Sequence, residues 1–372
     1  MKKTKVTISF FAALIAAITV ATPLFLHAAK AADITETAKT YLTGNGTNAG
    51  TNTDGSSRNV GAGDIEKNYS TYTFLDIRLD ELYNAGHIAG SYHVVYGEQL
   101  AEKIKYLPLD KPIVVVSNDG QLGWQVTGAL NTVFAADGID TKVISWQGGY
   151  TTEGIAADKI STEATALPDA VNALTDAGLK LFSDYIGGLK NANYPNFIVN
   201  EAETWKVING IYNKKKEFTD KYIVVFLPAF KGTYVGEFND SILRIDYGGT
   251  EGAAKLTGLD KSKIILVACG SGQTSDNVVG SLRVAGFNAY SVANGWGGNK
   301  GEIKGTTKQG GISAYDAAQV AAGKKALFSE NVDTSIRNKK NWIPLVVVGG
   351  VVVVAGVVTL IILLNKKKKK TN

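Results

Sequence analysis

The chain has 372 residues, a formal net charge of +5 and a single cysteine. Eight of its lysines lie at the two ends, and without them the formal charge is negative, which excludes a basic nucleic-acid groove. One cysteine excludes an intramolecular disulfide, and too few histidines accompany it for a usual zinc site, so no metal is expected. No phosphate-loop or dinucleotide motif is present either, and no cofactor is expected.

The two ends of the chain predict export and membrane anchoring. Residues 1–31 have a basic start, an apolar stretch and a small-residue exit, which is typical of a secretory signal peptide, although an uncleaved anchor has the same pattern. Residues 343–364 are almost purely apolar and would span about 33 Å as a helix, enough for a transmembrane segment. The lysine-rich tail at residues 365–372 marks the cytoplasmic side. We therefore expect a single-pass membrane protein whose bulk is extracytoplasmic.

A wall-sorting signal also combines an apolar segment with a lysine tail. No Leu-Pro-x-Thr-Gly motif precedes residues 343–364, so the segment is interpreted as a permanent anchor. Residues 305–342 are polar and are predicted to be a stalk between the last folded domain and the membrane.

Residues 32–63 are predicted to be a flexible N-terminal segment that contains a short helix near residues 35–42. A first α/β unit is predicted over residues 64–155. It contains an apolar strand ending at Val116, the turn that begins with Ser117, and a helical pattern that Gly138 stops.

Residues 156–194 are predicted to be a linker with a helix, and residues 195–304 a second α/β unit. The second unit repeats the order of the first: an apolar strand, the turn that starts at Cys269, a helical pattern, and a closing Gly-Trp-Gly-Gly beside the Trp-Gln-Gly-Gly of the first unit. Apolar strands that alternate with amphipathic helices predict two mainly parallel sheets flanked by helices, with the turns at the carboxyl ends of the strands.

Cys269 directly follows an apolar strand and begins a glycine-containing turn into a helix. Backbone N–H groups at such a helix start stabilise an anion, so the pattern favours a reactive thiolate over a small buried hydrophobic residue. The residues expected to cradle the sulfur and its donor are those that follow it: Gly270, Ser271, Gly272, Gln273, Thr274 and Ser275.

These motifs together resemble the rhodanese superfamily, and specifically the tandem-domain sulfurtransferases. In the first unit the resemblance lies in Asp76, Arg78, Gly86 and His87, which match the family's Asp-x-Arg and Gly-His-Ile signature. In the second unit it lies in the loop that begins at Cys269. The resemblance covers roughly residues 64–155 and 195–300, and it implies two tandem rhodanese-like domains with Cys269 as the catalytic residue.

The sequence also departs from the family pattern. Ser117 occupies the position of the nucleophile in the first unit, which is therefore expected to be catalytically silent. In the second unit a gapless overlay places Phe226, Pro228 and Glu237 where the family has Asp, Arg and His. The Asp76–Arg78 pair is interpreted as structural, because such pairs brace loops more often than they do chemistry.

The resemblance implies that a Cys269 persulfide carries sulfur from a small donor anion (thiosulfate, mercaptopyruvate or polysulfide) to a thiol or a protein acceptor. The loop has no basic residue, which favours a mercapto-acid or polysulfide donor. Cysteine phosphatase chemistry is disfavoured because Ser275 stands where an arginine would hold the phosphoryl group. The remaining alternative is a non-catalytic binding, scaffold or redox-sensing module at the membrane surface.

Overall fold

The computed structural model describes residues 33–44, 57–227, 234, 236–297 and 311–328. The predicted signal peptide at 1–31, the predicted transmembrane segment at 343–364 and the lysine-rich tail at 365–372 lie outside these residues. Within the described part of the chain, no helix combines the length and the apolar character that a membrane crossing needs.

The first sheet is parallel and five-stranded. Its spatial order is β1-β6-β5-β2-β4, and a short antiparallel pair, β3 with β7, lies beside it. The strands of this half are β1 Asn59–Val60, β2 Thr73–Asp76, β3 His87–Ile88, β4 Tyr92–His93, β5 Ile113–Val116, β6 Val143–Trp146 and β7 Ile160–Ser161. Every residue of β2, β5 and β6 is buried, as expected for central strands with helices on both faces.

The second sheet repeats this arrangement with the order β10-β9-β11-β12-β8, again with parallel neighbours. Its strands are β8 Ile198–Val199, β9 Tyr222–Phe226, β10 Ile242–Arg244, β11 Ile264–Ala268 and β12 Ala289–Val292. In both sheets the first main strand along the chain lies at one edge and is followed in space by the fifth, fourth, second and third. The two halves therefore share one topology.

The helices cover these sheets and connect their strands. They are α1 Ile34–Thr43, α2 Ala62–Asn68, α3 Asp80–Asn84, α4 Glu98–Lys103, α5 Gln121–Asp137, α6 Asp176–Gly187, α7 Glu201–Tyr212, α8 Lys216–Thr219, α9 Gly249–Thr257, α10 Gln273–Val284 and α11 Gly311–Ala321. Short 3₁₀ turns lie at Tyr69–Thr71, Ile104–Tyr106, Ala157–Lys159, Gly188–Asn191 and Pro195–Phe197. The helix predicted near residues 35–42 is confirmed as α1, and Gly138 ends α5 in the left-handed conformation, as the sequence predicted.

Helices α5 and α10 pack directly against each other and join the two halves. A Cβ atom on Gly128 of α5 would collide with the carbonyl oxygen of Asn277, and one on Gly280 of α10 would collide with that of Gln125. The two helix backbones therefore approach more closely than larger residues would permit.

Two predicted segments differ from the structure. Strand β1 lies inside the segment predicted to be flexible, since its residues pair with β6 of the first sheet. Within the predicted stalk, α11 packs against α7, and the buried Asp316 accepts hydrogen bonds from the Trp205 indole and from the backbone N–H groups of Leu327 and Phe328. The polar composition of this stretch concealed four well-buried side chains, those of Ile312, Asp316, Leu327 and Phe328.

Candidate active site

Cys269 lies at the carboxyl end of β11, at the entrance to α10. Its side chain is 5% exposed, and the backbone N–H of Ser275 points at its sulfur with an N···Sγ distance of 3.3 Å. Gly272 precedes the helix with φ +90°, a conformation that favours glycine, and this turns the chain back around the sulfur. The sequence prediction of a thiol at a strand end, facing a helix start, agrees with this geometry.

The predicted cradle residues surround Cys269 as a buried loop. Ser271, Gln273 and Thr274 are each at most 8% exposed. Among the described residues, none accepts a hydrogen bond from the backbone N–H groups of residues 270–274. The loop thus holds a series of backbone donors that remain available to an anion.

Ser275 contacts its surroundings in two ways, through its hydroxyl and through its backbone N–H. The hydroxyl donates to the carbonyl oxygen of Gly272 at 2.7 Å and lies 2.8 Å from the hydroxyl of Ser291. Ser275 therefore braces the loop with its side chain and reaches the sulfur with its backbone N–H.

A second turn supports the loop from outside. The N–H of Trp296 donates to the carbonyl oxygen of Cys269 at 3.0 Å, and the N–H of Gly297 donates to that of Gly270 at 3.3 Å. A Cβ atom on Gly295, whose φ is +61°, would collide with the Cys269 carbonyl oxygen. This turn must therefore carry glycine at position 295 for the two segments to meet.

The equivalent site of the first half lacks a sulfur nucleophile. Ser117 directly follows β5 and is 2% exposed, and its hydroxyl accepts a hydrogen bond from the N–H of Gly120 at 3.1 Å. The N–H of Tyr150 donates to the Ser117 carbonyl oxygen at 2.8 Å. This makes Tyr150, rather than Trp146, the counterpart of Trp296 and corrects the pairing of the two tryptophans that the sequence suggested.

The predicted signature residues of the first half form a buried brace. Arg78 pairs with Asp76 at 2.7 Å and also donates to the carbonyl oxygen of Gly86 at 2.9 Å. The ring of His87 lies within 3.0 Å of two backbone carbonyl oxygens, those of Tyr83 and Glu163. These contacts agree with the structural role inferred for Asp76, Arg78 and His87.

The second half has no such brace among its described residues at the overlaid positions. Phe226 is fully buried in contact with other aromatic rings, and Glu237 is exposed. Pro228 lies outside the described residues.

Three polar residues beside the loop were missed by the sequence reasoning. Arg58, 4% exposed, donates to the hydroxyl of Tyr247 and lies 3.5 Å from the side-chain oxygen of Asn277. Burial raises the pKa of Tyr247, and the neighbouring Arg58 guanidinium partly opposes that rise. Arg58 was assigned to the flexible segment, and nothing in the sequence linked it to residues more than 180 positions away.

Asp276, the residue after Ser275, is also buried and was not predicted. Its carboxylate accepts hydrogen bonds from the side-chain amides of Gln121, at 2.8 Å, and Gln125, at 3.2 Å, both on α5 of the other half. Burial is the main cause that holds its pKa well above the usual value, and the charge of Asp119 adds to the effect. In the described part of the chain, no cluster of side chains is suited to hold a metal ion.

Comparison with known proteins supports the resemblance in the first half. The family model "Rhodanese-like domain" matches residues 62–152. None of the curated proteins matches the chain.

Several solved structures are similar to parts of the chain. A rhodanese-related protein from Thermoplasma volcanium is 25% identical, with 28% of this chain and 99% of that chain covered and a TM-score of 0.22. A thiosulfate sulfurtransferase from Pseudomonas aeruginosa is 13% identical, with coverage of 69% and 45% and a TM-score of 0.25. A 3-mercaptopyruvate sulfurtransferase from Leishmania major is 13% identical, with coverage of 64% and 72% and a TM-score of 0.28. The family model locates a rhodanese-like domain at residues 62–152.

Proposed function

We propose that this protein is a membrane-anchored sulfurtransferase of the tandem rhodanese type, with Cys269 as its catalytic residue. One observation carries the proposal: the single cysteine lies at the end of a buried parallel strand and begins a loop whose N–H groups at residues 270–274 have no hydrogen-bond acceptor among the described residues, with the Ser275 N–H directed at the sulfur. The shared strand order of the two sheets supports a second rhodanese-like domain around that cysteine.

The reaction follows from this arrangement. The Cys269 thiolate attacks the outer sulfur of a donor such as thiosulfate, the S–S bond of the donor breaks, and sulfite leaves with the bonding electron pair. The resulting persulfide passes its outer sulfur to an acceptor thiolate, and the electron pair of that S–S bond returns to Cys269. The backbone N–H groups of residues 270–275 stabilise the negative charge at each stage.

The test is the intact mass of the full-length protein after exposure to thiosulfate, mercaptopyruvate or polysulfide. We expect the wild type and Ser117→Ala to gain one sulfur atom that cyanide removes, and Cys269→Ser to gain none. Ser117→Ala is the matched control, because Ser117 is the topological counterpart of Cys269. No gain from any donor, with a folded protein and a reduced thiol, would overturn the proposal.

The alternative is a non-catalytic binding or redox-sensing module. The 5% exposure of Cys269 and the aromatic residue Phe226 in place of a signature Asp favour it. In that case Cys269→Ser and wild type would behave alike towards sulfur donors, and only oxidants would modify the thiol.

We also propose that residues 1–31 direct export and residues 343–364 anchor the chain, with the bulk of the protein outside the cytoplasm. The support is the apolar segment followed by five lysines. Protease added to intact cells should remove the folded part and leave a short membrane-bound C-terminal fragment. Full protection that is lost only on lysis would contradict this topology.

A further inference from the structure

Gln121 joins the half without a cysteine to the Cys269 loop. It is the first residue of α5 and is 3% exposed. Its side-chain oxygen accepts from the N–H of Asn294 at 3.0 Å, and its side-chain nitrogen donates to Asp276 at 2.8 Å. A single amide from the first half thus bridges two segments of the second half.

Both partners of Gln121 adjoin the atoms that hold the sulfur. Asp276 directly follows Ser275, whose N–H points at Sγ. Asn294, held at φ +55°, precedes the turn whose Trp296 N–H binds the Cys269 carbonyl oxygen. A Cβ atom on Gly272 would also collide with the Gln121 amide, so that amide lies against the loop itself.

The packing of α5 on α10 has an approximate two-fold symmetry. The collision of a Gly128 Cβ with Asn277 and that of a Gly280 Cβ with Gln125 are equivalent contacts under the shift that relates Ser117 to Cys269. The same shift relates Gln121 to Gln273, and Trp124 to Asp276.

The symmetric counterpart of the Gln121–Asp276 bond is absent. Trp124 occupies the position of the acid, and within the described residues the buried side-chain nitrogens of Gln273 and Trp124 have no hydrogen-bond partner. The amide bridge is therefore present only at the loop that carries a cysteine.

We infer that Gln121 is a positioning residue for the Cys269 loop, supplied by the half that has no nucleophile of its own. A role of Gln121 in catalysis rests on the proposed function. Its effect on the reactivity of the Cys269 thiol does not depend on that function. The positioning role implies that the first half completes the active site of the second.

The first variant is Gln121→Ala, which removes both hydrogen bonds. We expect persulfide formation on the full-length protein to slow by about ten- to a hundredfold, since a small displacement of a reacting group has effects of that size. Thr132→Val is the matched control: it removes the 2.8 Å hydroxyl contact between Thr132 and Ser281 in the same helix pair, and Thr132 lies eleven residues after Gln121 on α5. It should leave the rate within about twofold of wild type.

The second variant, Gln121→Glu, adds a measurement of how the rate of persulfide formation depends on pH, which a purely structural role of Gln121 would not change. The new carboxyl group keeps an acceptor for the N–H of Asn294, but it also faces the carboxyl group of Asp276. Because the pKa of Asp276 is raised, Asp276 can donate a hydrogen bond to the new carboxylate while it is protonated, and the two groups repel each other once both are ionised. The rate relative to wild type should be near one at acid pH and should fall as pH rises. The other titratable groups that act on Asp276 or near it are Asp119, Arg283, Tyr96 and Tyr185.

Alkylation of Cys269 by iodoacetamide, followed over the same pH range, separates this inference from the proposed function. If wild type takes up sulfur but Gln121→Ala matches Thr132→Val in both assays, the positioning role is overturned and sulfur transfer stands. If wild type takes up no sulfur but the alkylation rates of the Gln121 variants shift with the expected pH dependence, the positioning role stands without the proposed reaction. If the rate of Gln121→Glu relative to wild type does not change with pH, that result also contradicts the positioning role of Gln121.

Discussion

Replacement of Gly295 by alanine tests whether the Gly-Trp-Gly turn holds the Cys269 loop in place. Two separate effects should destabilise the variant. At φ +61° an alanine is strained by about 1–2 kcal/mol. Its Cβ would also collide with the Cys269 carbonyl oxygen and approach the N–H groups of Ser271 and Gly272, and such overpacking costs about 1–3 kcal/mol.

Gly286→Ala is the matched control for this change. Gly286 has φ +83°, but no atom lies within 4 Å of a Cβ placed there, so it should lose only the strain term. Urea unfolding of both variants should show Gly295→Ala to be less stable than Gly286→Ala by about 1–3 kcal/mol, the collision term alone. Because the loop must shift to relieve the collision, iodoacetamide should alkylate Cys269 at an altered rate only in Gly295→Ala.

Equal free energies of unfolding for the two variants, with unchanged alkylation of Cys269, would refute this reasoning. The result would mean that the turn and the loop move apart at little energetic cost. Trp296 and Gly297 would then not determine where the sulfur lies.

Two further predictions concern buried charges. Asp76→Ala should lower the free energy of unfolding in urea by about 3–5 kcal/mol, because it leaves the buried Arg78 guanidinium without its carboxylate. Lys180→Ala, which breaks an exposed pair, should change the free energy of unfolding by less than about 1 kcal/mol. Equal losses in the two variants would contradict the structural role of the brace. The pKa of Asp276 is raised in the folded protein, so its contribution to stability is complete below the unfolded pKa of about 4 and is lost as pH rises through the folded pKa. Asp276→Asn should therefore flatten the fall of the unfolding free energy above about pH 4. An unchanged dependence of that free energy on pH would contradict the burial effect.

Much of the fold was predictable from local patterns. The apolar runs that became β5 and β11 are bounded by glycine turns, and the helices after them end where Gly138 and Gly286 stop them. These signals are short-range, since strand burial and the left-handed conformation of glycine depend on neighbours within a few positions.

The errors arose where composition masked tertiary contacts. Residues 305–342 were predicted to be a polar stalk, yet Asp316 within them is buried, because an indole and two backbone N–H groups satisfy its carboxylate. The strand β1 is only two residues long, and it forms through pairing with β6, more than 80 positions away. Neither feature leaves a periodic pattern in the sequence.

The sequence by itself determined the α/β class, the repeat of strand, turn and helix, and the position of Cys269 at the start of a helix, because each depends on residues adjacent in the chain. Only the tertiary structure decided what surrounds that cysteine. The amide of Gln121, the guanidinium of Arg58 and the hydroxyl of Tyr247 come together through the packing of α5 on α10 and of β1 into the first sheet. Such contacts arise from close packing between distant segments, which no local pattern encodes.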